Sequence, residues 1–169
     1  MTPRAIYLAR YRESTRQRAH FALFVPNEAD DRAGLSQNYR DSPCRGTVIH
    51  VVGEPIIAGR NYDCSNSRRL GALVRLGYVD EAHIYASSGT TATKDSTPRA
   101  PLEREATLVP PPPRGQNVRA PIDGVNTRRC QEWTMEYLQR LVAKNHIETQ
   151  ALAIANNERD PPNLGIFGQ

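Results

Sequence analysis

One cysteine and two histidines stand where chemistry is possible. Cys130 sits in TRRCQEW, at the head of the strongest helical pattern in the chain. A thiol in the first turn of a helix meets unpaired backbone N–H groups and the positive end of the helix dipole. Both favour the thiolate, which is the nucleophilic form. Arg128 and Arg129 add positive charge beside it. As a purely structural residue, the same cysteine would begin the apolar stripe of the helix as a small hydrophobe.

The histidines lie in apolar surroundings. His20 opens HFALFVP (20–26) and His50 sits inside GTVIHVVG (46–53). Burying an imidazole is costly unless it is hydrogen-bonded, so two in adjacent core strands point to a shared purpose. If these strands pair as a hairpin, both rings can share one face of a sheet. A helix carrying Cys130 and packed on that face would complete a line of nucleophile, base and orienting group. Taken as zinc ligands, His20, His50 and Cys130 would leave one open position. Their spacing carries no metal signature, and no metal or cofactor is expected. His83 and His146 are further from any such pattern. Tyr7, Arg60 and Tyr62 flank the strands and are candidate substrate contacts.

The elements that must position these groups follow from periodicity. Residues 5–11 read as a first strand, 20–26 and 46–53 as the two clearest strands, and 70–79 as one or two short strands broken at Gly71 and Gly77. The run 82–86 reads as another strand. Segments 27–45 and 87–97 read as loops, and 54–69 as a series of turns, from their Gly, Pro, Asn and Asp content. A short helix is expected over 98–107, with Thr97 as cap and Pro98 in the first turn. VPPPPRG (109–115) reads as a stiff extended connector. The main helix is expected over 127–144, with Trp133, Tyr137, Leu138, Leu141 and Val142 on one face. A second helix follows over 147–156. The expected fold is therefore α+β, an antiparallel sheet packed against a helix with a cysteine at its N-terminus. One domain over 1–169 is expected.

Composition narrows the function classes. The 169 residues include 22 Lys+Arg against 18 Asp+Glu, a net charge of +4. All the basic residues are Arg except Lys94 and Lys144, and no basic run exceeds Arg68–Arg69 or Arg128–Arg129. Aromatics are 7%, too few for base-stacking platforms, so no nucleic-acid partner is expected. No apolar run reaches the length of a membrane span or a signal peptide, so no membrane partner is expected and the location predicted is cytoplasmic. Three cysteines with no CxxC pair argue against a disulfide framework.

HFALFVP, GTVIHVVG and RRCQEW together resemble the permuted papain-like thiol enzymes. These are the lecithin:retinol acyltransferase-like and H-Ras-like suppressor families, relatives of the NlpC-type peptidases. There, a His-Trp-Ala-hydrophobic-Tyr-Val strand, a strand with a second His and a later Asn-Cys-Glu-His-Phe helix start occur in that order. The resemblance implies His20 as base, His50 as orienter and Cys130 as nucleophile, its backbone N–H helping to form an oxyanion hole. Arg129 stands where that pattern has Asn, and Glu132 and Trp133 stand where it has His and Phe. The chain is also similar to small fungal proteins with HFALFVP-type and NCQ-W-type segments.

The expected function is cysteine-dependent acyl transfer or hydrolysis on a small-molecule ester, thioester or amide. A cyclase or isomerase using His20 and His50 as acid and base is the alternative on the same scaffold. A binding module with a buried thiol is the alternative without catalysis. The oligomeric state is open.

Overall fold

The computed structural model describes residues 2–12, 14–51, 56–87, 89–112, 129–162 and 164. Six strands form one antiparallel sheet: β1 (Pro3–Tyr11), β2 (His20–Pro26), β3 (Arg45–Val51), β4 (Ile56–Asp63), β5 (Leu70–Asp80) and β6 (Thr93–Asp95). Their order across the sheet is β5-β1-β2-β3-β4-β6. The first four strands run as a meander. The chain then crosses to the far edge for β5 and returns to the opposite edge for β6. Four helices accompany the sheet: α1 (Leu35–Asn38), α2 (Pro101–Thr107), α3 (Cys130–Ala143) and α4 (Gln150–Asn157). The fold is α+β, as expected.

The central strands are apolar throughout because both of their faces are covered. Side chains alternate across a strand, and β2 divides accordingly. Phe21, Leu23 and Val25 pack with Trp133, Tyr137, Leu138 and Leu141 of α3. Ala22 and Phe24 pack on the other face with Tyr7, Leu35, Tyr39, Cys44 and Cys64. Helix α3 lies on β2 and β3, α4 on β5, and α2 against α3 and β4. The buried stripe of α3 contains Trp133, Tyr137, Leu138 and Leu141, the positions that its periodicity marks.

Several boundaries differ from expectation. The 54–69 segment contains β4, which its Gly and Asn residues conceal. The 70–79 run is one strand, not two. Residues 81–83 form a 3-10 turn where a strand was expected, with the Asp80 carboxylate accepting from the Ala82 N–H. Segment 27–45 is ordered by a 3-10 turn at Glu28–Asp30 and by α1. Strand β6 lies within the expected loop 87–97. The start of the expected 127–144 helix, and residues 113–115 of the connector, lie outside the described residues.

One glycine in β3 is required by close approach. A Cβ on Gly46 would stand 2.4 Å from the Val25 carbonyl oxygen and 2.7 Å from both Phe24 Cζ and Pro26 Cα. Two of those neighbours are backbone and cannot yield cheaply. Gly46→Ala should therefore destabilise by about 1–3 kcal/mol, as overpacking does. That corresponds to a fall in melting temperature of about 2–4 °C per kcal/mol at this size. Gly59→Ala is the control, because a Cβ there meets only Val48, at 4.0 Å. Equal melting of the two variants would refute the packing argument.

Candidate functional site

His20 and His50 come together across the β2–β3 hairpin. Leu23 faces Ile49 and Phe24 faces Val48 in this pairing. His20 shares the face of Ala22 and Phe24, and His50 shares that of Val48. Their rings meet edge to face, with centroids 5.1 Å apart. His20 Nε2 lies 2.9 Å from His50 Nδ1, a hydrogen bond in which one ring donates and the other accepts.

The helix does not pack on that face. Phe21, Leu23 and Val25 present the opposite face to α3, so the expectation that α3 covers the histidine face is corrected. Cys130 nevertheless reaches the margin of β2. It is the first residue of α3, and its thiol donates to the Ala19 carbonyl at 3.8 Å. The thiol is thus anchored to the peptide carbonyl that precedes His20. This bond is possible because the β2–β3 pairing begins at Leu23, leaving the start of β2 available to α3.

A clamp that sequence reasoning missed fixes this contact. Gln131 Nε2 donates to the Ala19 carbonyl and to Asp160 Oδ2, each at 2.9 Å. The Ala19 N–H donates to Asp160 Oδ2 at 2.7 Å. Arg18 donates to both carboxylate oxygens of Glu132, at 3.0 and 2.7 Å. Glu132 also accepts from the Arg129 N–H at 3.0 Å, closing the first turn as a capping glutamate does. Burial would raise the Glu132 carboxyl, but Arg18, Arg159 and the Arg129 N–H hold it below its usual range. Arg18 and Ala19 are more than a hundred residues from Gln131, Glu132 and Asp160, so no local pattern announces these contacts.

The electrostatics favour the neutral forms of the two imidazoles and the thiol. Burial lowers the pKa of His20. Burial, then His20 and Lys94, lower that of His50 to about 4. Burial pushes the Cys130 thiol up, against the smaller opposing effects of the Phe21 N–H and Arg18. Desolvation therefore outweighs the helix dipole and nearby arginine charge that favour a thiolate. This has a consequence for stability. The unfolded chain binds protons on these histidines near pH 6.5, whereas the folded chain resists them. Stability should be full above about pH 6.5 and fall as pH drops toward 4. The slope is about 1.4 kcal/mol per pH unit for each proton taken up on unfolding. Urea melts at pH 7.5 and 5 should show this loss, and His50→Gln should reduce it. An unchanged pH dependence in His50→Gln would contradict the assignment.

A cavity of about 470 Å³ opens over the imidazoles. Tyr11, Val48, Gly59 and Tyr62 line it with His20 and His50, and the exposed Arg69 and Lys94 border it. The Tyr11 and Tyr62 hydroxyls hydrogen-bond to each other at 3.1 Å. Of the three candidate substrate contacts, Tyr62 lies in this cavity. Tyr7 is buried in the core beneath, its hydroxyl pKa raised to about 12 by burial and then Asp31. Arg60 is buried in a two-pronged ion pair with Glu103, with Asp95 at 3.4 Å, and ties β4 to α2. His83 and His146 meet elsewhere, with ring centroids 4.2 Å apart, beside a cavity of about 560 Å³. Among the described residues no group of three or more His, Cys, Asp or Glu is placed to hold a metal ion. No helix among them is long and apolar enough to cross a membrane.

An α+β sheet with paired imidazoles on one face and a helix-borne thiol at the margin is the class of domain that the fold and site define. Residues 6–148 match the family described as "Family of unknown function (DUF6540)", and the chain belongs to that family. No curated protein and no solved structure matches the chain.

Proposed function

We propose that the protein is a thiol enzyme, performing acyl transfer or hydrolysis on a small-molecule ester, thioester or amide. One observation carries this reading: Cys130 is bonded to the peptide carbonyl that precedes His20, while His50 engages His20 Nε2. In the tautomer that suits catalysis, His20 donates from Nε2 to His50 and keeps the lone pair on Nδ1. For the reaction the Cys130 side chain turns from the Ala19 carbonyl toward that nitrogen, which takes the thiol proton as sulfur attacks the carbonyl carbon. The carbonyl electron pair moves to oxygen, which the Cys130 N–H at the helix start stabilises. Collapse expels the leaving group, which takes the proton from the His20 imidazolium. Water or a second nucleophile then attacks the thioester and gives its proton to His20, which passes it to the departing sulfur and restores the neutral thiol. Because thiol and imidazole rest neutral, proton transfer accompanies attack rather than preceding it.

The likeness to permuted papain-like enzymes agrees in the order His, His, Cys. The reading needs no cofactor, metal, nucleic acid or membrane. A cytoplasmic location accords with three free thiols at Cys44, Cys64 and Cys130. Turnover of ester and thioester substrates by the Cys130→Ala variant tests the proposal.

A second reading has its own observation. The cavity is lined by both imidazoles and two tyrosines, but not by the thiol. Acid–base chemistry by His20 and His50, as in a cyclase or isomerase, would form no covalent intermediate and would survive Cys130→Ala.

A further inference from the structure

We infer that the cavity over the histidines binds an amphipathic anion. Its carboxylate or phosphate would be held by Lys94 and its apolar body would lie across Gly59 and Val48 toward Tyr11 and Tyr62. This rests on the proposed site for its chemistry, though binding is measurable apart from turnover.

The argument begins at Gly59. Strand pairing places Phe24, Val48, Gly59 and Lys94 in one cross-strand row, since Phe24 faces Val48, Val48 faces Gly59 and Gly59 faces Lys94. Side chains in such a row share one face. Gly59 does not adopt the left-handed conformation, and a Cβ there would touch only Val48, at 4.0 Å. Backbone geometry and packing would both accept a side chain. What the glycine supplies is room, in the wall of a cavity between aromatic rings and a lysine.

Lys94 borders the cavity, and among the described residues no carboxylate lines it. The nearest carboxylate in sequence, Asp95, is committed to Arg60 and Arg99. Lys94 also acts electrostatically on His50. An anion seated there offsets that positive field, while Val48 and the tyrosine rings favour an apolar or aromatic body. Lys suits either a carboxylate or a phosphate as a point charge.

Calorimetric titration of the full chain tests this with three probes of similar size: 4-phenylbutyrate, 2-phenylethyl phosphate and the neutral 4-phenylbutanamide. At least one anion should bind roughly fivefold tighter than the amide, the ratio a partly exposed ion pair gives. Whichever anion binds tighter identifies the acidic group. Lys94→Met should bring that anion down to the affinity of the amide. Gly59→Leu should abolish binding of all three at an unchanged melting temperature. If Gly59→Leu fails to fold, Gly59→Ala, expected to weaken all three probes, replaces it. The inference is overturned if the amide binds as well as both anions, if Lys94→Met leaves the ratio intact, or if filling Gly59 leaves binding unchanged. Repeating the titration in Cys130→Ala separates the two ideas. An intact anion preference there with undiminished turnover rejects the thiol chemistry alone. A missing preference beside abolished turnover rejects the cavity inference alone.

Discussion

Cys130→Ala should reduce turnover of an ester or thioester at least about a thousandfold, because no other group can replace a lost nucleophile. The fold should survive. The substitution removes one sulfur and its weak bond to the Ala19 carbonyl. The stronger bonds from Gln131 and Asp160 to the same residue remain. A loss of about 1 kcal/mol would lower the melting temperature by about 2–4 °C. His20→Ala should remove the base and cost at least about a hundredfold, the lower end for general base catalysis. Steady-state kinetics with calorimetric melting of each variant checks both. Full activity in Cys130→Ala combined with loss in His20→Ala would eliminate the covalent route and leave the acid–base one.

Arg18→Met should produce the largest loss of stability, about 3 kcal/mol, or about 6–12 °C in melting temperature. Arg18 and Glu132 are only 9% and 6% exposed, so removing the cation strands a buried carboxylate. Arg159 stays within 2.9 Å of that carboxylate but is itself a third exposed, so its compensation is partial. The double variant Arg18→Met, Glu132→Gln should recover part of the loss, since the stranded charge is gone. Urea denaturation of the two single variants and the double measures this. Additive losses would mean that the pair does not act as a unit. The helix start bears Cys130, so Arg18→Met should also lower turnover by shifting the thiol against β2.

How much of this was legible in the sequence depended on distance along the chain. Strands β2 and β3 were readable because both are continuous apolar runs, and α3 because its large residues recur every three or four positions. Strand β4 was not. Gly59 breaks its apolar pattern to make space, and Asn61 takes a positive φ of 53° while its side-chain oxygen accepts from Asn27. Both residues mimic turn chemistry. Strand β6 is three polar residues at an edge, too short for any period. The meeting of His20 with His50 followed from two apolar strands in sequence order. Which face they took did not, because Phe21 and Phe24 are equally apolar on opposite sides and alternation alone cannot say where a helix will lie. The Arg18–Glu132 and Ala19–Asp160 contacts join segments that share no local pattern.

Asp160 gives the site an order of assembly during synthesis. The hairpin bearing both imidazoles leaves the ribosome early and can pair at once, being built from near neighbours. The thiol at Cys130 follows His50 by 80 residues. The carboxylate that takes the Ala19 N–H follows only after α4 has emerged. A nascent chain therefore holds its imidazole pair before a sulfur is fastened beside it, and the arrangement is secured only once Asp160 has been made.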